Sequence, residues 1–263
     1  MDLAICSLAS GSSGNCYLIK SNRAAILVDA GISAKQIGLR LSALGMATED
    51  ICAVLITHEH SDHTKGISAL SKIEGVNFYL NEKTLAGAGA LDLGESLRLF
   101  TTGESFEIED INISSFHLSH DAADPSGFSF ESGGKRISIV TDTGVVTEEI
   151  YENVKDSDIL VLESNHDENI LKMGRYPWFL KQRILSELGH LSNEAAADLL
   201  QKIYRGSAKP RQILLAHLSA ENNFPEMALA TVNNILEAEG FPVGKDIKLS
   251  VLSRTEASPL YLV

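Results

Sequence analysis

The chain has 263 residues, with 22 Lys and Arg against 35 Asp and Glu, a formal net charge of −13. With 44% hydrophobic and 22% charged residues it is neither collagen-like, a coiled coil nor wholly disordered, and it is long enough to bury a sizeable core. The acidity excludes a surface coated in cations for nonspecific duplex binding, but bound metal ions and a local basic patch can still give a nuclease its positive field.

LAICSLAS and NCYLIKS around the turn GSSG predict a hairpin, and AAILVDAG a buried strand. A helix follows, with Ser33 as cap, Ile37, Leu41 and Leu44 on one face and Gly45 at its end. ICAVLITH and VNFYL are two more strands. SFEIE, INISSFHLS, SGFSFES and RISIVTD predict an antiparallel run with ED, DP and GG in the turns. TEEIYENV is a helix, ILVLES a strand, and PWFLKQRILSELG a helix with Pro at its first position and Gly at its end. NEAAADLLQKIY is a helix with Leu199, Leu200 and Ile203 inward. QILLAHLS is a strand, PEMALATVNNILEAEG a helix with Leu229, Val232 and Leu236 on one face, and IKLSVLS the last strand. Strands alternating with amphipathic stretches give an α/β class, and no linker divides the chain.

Cys6, Cys16 and Cys52 are odd in number and form no Cys-x-x-Cys, so reduced thiols are expected rather than a disulfide framework. No apolar run approaches the roughly 18–20 residues of a membrane span, and MDLAICSLAS lacks a basic leader. A soluble, cytoplasmic protein without a membrane partner is expected.

His58-Glu59-His60-Ser61-Asp62-His63 dominates the chemistry. Three histidines and an aspartate in six residues follow the strand AVLIT. Continued strand alternation puts His58 and His60 on one side, and a turn then lets Asp62 and His63 face a second point. Imidazoles and carboxylates are the ligands of borderline and hard divalent ions. Asp29, Asp142, Glu163 and His217 each follow an apolar strand, and strand ends at one sheet edge are where α/β proteins gather their sites.

HEHSDH resembles the HxHxDH signature of the metallo-β-lactamase-fold hydrolases. Asp29, His120, Asp142 and His217 match that family's other motifs. The resemblance implies an αββα four-layer sandwich with two mixed β-sheets, one domain over residues 1–263, and two divalent metal ions at a sheet edge. It implies that the first ion takes His58, His60 and His120, and the second Asp62, His63 and His217. Asp142 would bridge them, and Asp29 would orient a ligand without binding metal. Zn²⁺, Mn²⁺ and Fe are all compatible with these donors.

Asp at 142 and His at 217 resemble the phosphodiesterase branch. GHLSNEA, with His190, resembles the Gly-His-Ser-Thr segment of RNase Z, and Glu163 matches the Glu that pairs with that His. SGSSGNCY, LESNHD, MGRYPW and GHLSN resemble the YycJ (WalJ) group of bacterial exonucleases. That resemblance implies 5′→3′ degradation of double-stranded DNA by a hydroxide held between the ions, with Asp62, His190 and Glu163 catalytic and His190 the general acid. An RNA-processing nuclease, and a thioester or lactone hydrolase, are the alternatives within the fold.

Lys172, Arg175, Lys181 and Arg183 lie together without an acidic residue, beside Tyr176 and Trp178. Cations that meet phosphate and aromatics that meet a base make this a candidate DNA surface. The alternative is a helix that sends Trp178 and Phe179 into the core and leaves Lys181 and Arg183 solvated. GSSGN reads either as an amide nest for phosphate or as a plain turn. His117 reads as a core residue, and His166 and Asp167 have no assigned role.

Overall fold

The unbroken apolar runs are strands buried on both faces. A computed structural model of the chain describes residues 3–206 and 211–263. The first sheet contains β1 (Ala4–Ala9), β2 (Cys16–Lys20), β3 (Ala25–Val28), β4 (Ala53–Leu55), β5 (Asn77–Leu80) and β6 (Leu97–Leu99). The second contains β7 (Ser105–Ile108), β8 (Ile111–His117), β9 (Ser126–Ser132), β10 (Lys135–Val140), β11 (Ile159–Glu163), β12 (Arg211–Ala216) and β13 (Ile247–Val251). The C-terminal β14 (Tyr261–Leu262) returns to the first sheet and pairs with β1. Sheet order is β14-β1-β2-β3-β4-β5-β6 in one and β13-β12-β11-β10-β9-β8-β7 in the other. Each sheet is antiparallel at one end and parallel at the other. The parallel pairs are β3·β4, β4·β5 and β5·β6, and β10·β11, β11·β12 and β12·β13.

Side-chain alternation divides the core into layers. Ile26 and Val28 of β3 pack between the sheets with Phe128, Phe130, Val161 and Leu214. Their neighbours Ala25 and Leu27 face outward onto α1 (Ala34–Ala43), through Ile37 and Leu41. The same outer layer carries α2 (Ser61–Thr64), α3 (Ile67–Leu70) and α4 (Glu82–Gly87). On the other side lie α5 (Glu148–Val154), α6 (Glu168–Met173), α7 (Trp178–Ile184), α8 (Asn193–Gly206) and α9 (Pro225–Ala238). There Leu160 and Leu162 of β11 meet Leu199, Leu200 and Ile203 of α8 and Val232 and Leu236 of α9. Layers run helix, sheet, sheet, helix, as expected for an αββα sandwich.

Several local expectations are corrected. The helix predicted over PWFLKQRILSELG stops at Ile184, and Pro177 is its cap, not its first residue. The chain then turns back, with Gly189 so close to Ile184 that a Cβ would sit 2.1 Å from its carbonyl oxygen. Leu229 is exposed, and Ala228 takes its inward place on α9. β13 is not the last strand, and the short β6 and α4 carry too little periodicity to be anticipated. His117 is exposed and pairs with Glu149 at 3.0 Å, so it is not a core residue. No helix among the described residues is long and apolar enough to cross a membrane.

Candidate metal centre

The carboxyl ends of the parallel strands from both sheets meet at one edge of the sandwich. Asp29 follows β3, His58 to His63 follow β4, and Asp142, Glu163 and His217 stand at the ends of β10, β11 and β12. Asp29, Asp142 and His217 take φ values of 61°, 63° and 54°. The left-handed region costs a non-glycine residue on the order of 1–3 kcal/mol, and such strain gathers at functional sites. Here it turns each chain off its strand end at the site. Gly31 brings the Asp29 loop against the histidine loop, since a Cβ there would lie 1.6 Å from Asp62 O. Backbone bonds Ala30 N to His63 O and Asn15 N to Asp62 O, both 2.8 Å, stitch the loops together.

β4 ends at Leu55, so His58 and His60 face each other through a loop and not through strand alternation; His58 Nε2 and His60 Nδ1 are 3.1 Å apart. α2 is the turn that redirects Asp62 and His63. Donor atoms of His58, His60 and His120 lie within 4.8 Å of one another, as do those of Asp62, His63 and His217. Asp142 stands between the sets, with Oδ2 3.3 Å from His63 Nε2 and Oδ1 3.3 Å from His217 Nδ1 and 3.8 Å from His120 Nε2. Asp142 Oδ2 and His217 Nε2 are buried without a hydrogen-bond partner. Orphaned acceptors and converging imidazoles are unfavourable alone and fit divalent cations. The cluster therefore has the donor set of a divalent-metal centre.

In His63, His120 and His217 the other ring nitrogen is held from behind, which fixes the ring orientation. His63 Nδ1 donates to Asp29 Oδ2 at 2.7 Å, and Thr57 N donates to Asp29 Oδ1 at 2.9 Å. His120 Nδ1 donates to Gly189 O at 3.0 Å, and His217 Nδ1 to Glu163 Oε1 at 2.8 Å. Burial, then the neighbouring imidazoles, push His58 well below its usual pKa. Burial likewise lowers His120. For His63, burial works downward, but Asp29 and Asp142 override it and hold the ring well above its usual value. Asp62 resists its own burial and is held below the carboxylate range by His63 and His217.

His190 lines the mouth of the cleft, a cavity of about 280 Å³. Its Nδ1 donates to Glu163 Oε1 at 2.8 Å. Burial works to lower this histidine, and the Glu163 carboxylate overrides it, raising the pKa to about 9. Glu163 Oε2 accepts from Thr143 N at 2.9 Å and Leu191 N at 3.3 Å, so the carboxylate is fully engaged.

The candidate DNA surface is only partly formed as expected. Trp178 and Phe179 are 66% and 72% exposed, so neither enters the core. Tyr176 and Arg183 line the cleft, and Arg183 is bonded to Asp121. Arg175 is exposed with no ion pair among the described residues. Lys172 is exposed and paired with Glu168 at 2.5 Å. Lys181 does not fit a phosphate-binding role. It is 8% exposed, and its ammonium donates to Lys172 O at 2.8 Å and Gly174 O at 2.7 Å, tying α6 to α7. Asp167 caps α6. His166 is buried with both ring nitrogens unbonded, and burial lowers its pKa to about 4.

Thr57, Asn15 and Asp121 escaped sequence reasoning. Thr57 Oγ1 lies 3.0 Å from His58 Nδ1 and from both Asp29 oxygens, and Asn15 Nδ2 3.1 Å from His63 Nε2. Their sole local signal is adjacency: Thr57 precedes HEHSDH, Asn15 closes GSSGN and Asp121 follows His120.

A family model described as a beta-lactamase superfamily domain matches residues 24–218. A Streptococcus pneumoniae protein named exodeoxyribonuclease WalJ is 41% identical over 259 residues, covering 96% of this chain and 95% of that one. A Bacillus anthracis protein named exodeoxyribonuclease YycJ is 38% identical over 253 residues, 95% of each. The metallo-beta-lactamase fold protein YhfI from Bacillus subtilis superposes with a TM-score of 0.73 at 14% identity, over 98% of this chain and 99% of that one.

Proposed function

Because the chain belongs to the beta-lactamase superfamily and has the metallo-β-lactamase fold, we propose that it is a metal-dependent phosphodiesterase, a 5′→3′ exonuclease on double-stranded DNA. The observation that carries this reading is the His190–Glu163 pair at the lip of the donor cluster. A poised acid beside a divalent-metal centre suits departure of an alkoxide, which needs a proton.

His58, His60 and His120 would hold one ion and Asp62, His63 and His217 a second, with Asp142 between the two donor sets. Zn²⁺, Mn²⁺ and Fe²⁺ all suit these donors. When bound, the ions supply an acidified water and positive charge against the nonbridging phosphate oxygens. Asp29 holds His63 in one tautomer. Glu163 engages His190 Nδ1, which leaves Nε2 to carry the transferable proton. As water adds to phosphorus the bond to O3′ breaks, and His190 delivers that proton to the departing oxygen. Tyr176, Trp178, Arg175 and Arg183 form the shelf along which the strand lies, the arginines meeting phosphate and the aromatics a base.

The test uses purified protein with Mn²⁺ on linear duplexes labelled at the 5′ or 3′ end, on covalently closed plasmid, and on a thioester. Expected are early release of the 5′ label as mononucleotide, an intact plasmid and no thioester hydrolysis. Plasmid nicking at the linear rate refutes end dependence, and preference for the thioester refutes the phosphodiesterase reading.

A further inference from the structure

Beside the metal cleft lies a second cavity of about 510 Å³, bounded by the turns after β12 and β13 and by the start of α9. Ser219 lines both cavities. Among the described residues no carboxylate lines the second one, and Arg254 is its one charged residue. Arg254 has no ion pair among the described residues, and its Nε is buried without a hydrogen-bond partner. A buried donor left unbonded is costly, and a guanidinium fork matches phosphate geometry. The Arg254 side chain lies against the loop that reaches the metal cleft. A Cβ on Gly11 would stand 2.9 Å from its Cγ and 3.1 Å from its Nε, and the next residue, Ser12, lines that cleft.

The wall carrying Arg254 is fixed before any ligand arrives. Ser253 Oγ accepts from Thr255 N at 3.3 Å and from Glu256 N at 3.1 Å, and Arg40 Nη2 donates to Thr255 O at 2.7 Å. Opposite stands Phe224, 45% exposed at the start of α9. An unpaired arginine and an open aromatic in an acid-free cavity are unusual in a chain of net charge −13.

We propose that this cavity is a strand-binding subsite of the same nuclease: Arg254 takes a backbone phosphate flanking the scissile one, and Phe224 stacks on a base. The subsite rests on the phosphodiesterase reading. It extends the strand's path from the α7 shelf, across the metal centre, past Ser12 and Ser219.

The test compares KM for a dinucleotide with KM for a strand of about eight nucleotides in the Mn²⁺ protein. Wild type should favour the longer strand. Phe224→Ala and Arg254→Gln should each reduce that preference about tenfold. Arg254→Gln should also make the dependence of log KM on log salt shallower by about 0.7, whereas Arg254→Lys should keep the salt slope and restore only part of the preference. Metal content and thermal midpoint, measured alongside, establish that the variants are folded; Phe224, being exposed, is the safer of the two. If wild type cleaves and both variants keep its length preference and salt slope, the subsite is refuted while the phosphodiesterase reading stands. If wild type cleaves neither strand but degrades the linear duplex, the subsite is refuted while the phosphodiesterase reading stands; if it cleaves no phosphodiester at all, both fall together.

Discussion

His190 and His217 share one carboxylate oxygen: each donates its Nδ1 to Glu163 Oε1 at 2.8 Å. Glu163 therefore orients the proposed acid and a proposed metal ligand at once. Were His190 its sole partner, Glu163→Gln would be a mild version of losing His190. The shared oxygen makes it worse: an amide oxygen turned to both rings leaves its NH₂ facing the Leu191 and Thr143 N–H donors, and turned the other way it leaves both rings without an acceptor. Metal affinity should fall 10–100-fold, and DNA cleavage should drop even with metal restored to saturation. Titrating Mn²⁺ into the variant checks both effects. Unchanged metal affinity would show that His217 does not depend on Glu163.

His190→Ala should leave metal content intact and slow DNA hydrolysis about 10²–10⁴-fold. Bis-p-nitrophenyl phosphate should suffer far less, because a nitrophenolate departs without a proton. Equal slowing of both substrates would make His190 a phosphate binder or a structural residue.

The pH profile follows from the same pair. Burial lowers the His190 pKa, but Glu163 raises it to about 9. The acid form is the active one, so the rate should fall as pH rises through the pKa of His190. Removing the negative partner destabilises the imidazolium, so Glu163→Gln should move this alkaline limb to lower pH. A limb that stays in place assigns it to another group.

Elemental analysis of protein purified without chelator should find close to two metals per chain. His60→Ala should lose much of one and His217→Ala much of the other. Asp29 and Asp142, against the effect of burial, hold His63 protonated above its usual range, so a cation must displace a proton there. Apparent Mn²⁺ affinity should consequently rise between a pH one unit below neutrality and one unit above. A pH-independent affinity would place His63 outside the coordination sphere.

Lys181 and Arg175 should separate stability from binding. Lys181→Ala removes the buried ammonium that bridges the Lys172 and Gly174 carbonyls and should cost about 1–3 kcal/mol, read as a lowered unfolding midpoint in denaturant. Arg175→Ala should leave that midpoint unchanged, weaken DNA binding and reduce the salt slope by about 0.9. A stable Lys181→Ala with weakened DNA binding would return Lys181 to the substrate surface.

By itself the sequence determined the donor chemistry of the site and the α/β alternation of the fold, while the four layers were implied only by the family resemblance that HEHSDH carries. HEHSDH concentrates donors in six residues, and runs such as AAILV, ILVL and ILLA are apolar at every position because both strand faces are buried. Local spacing carries that information. Tertiary structure alone decided which groups share a partner and which cations remain free. Glu163 and His217 stand 54 residues apart, and they meet because β11 and β12 are parallel neighbours whose ends share one edge. Lys181 reads as a solvated cation until the turn after α6 offers it two carbonyls. Trp178 and Phe179 read equally as core residues, and at the start of α7 they stand in solvent. Arg254 lies 243 positions from Gly11 in sequence and against it in space, a proximity created when the chain past β13 returns to pair β14 with β1. Such pairings depend on where strand ends and turns converge, and no local periodicity encodes that.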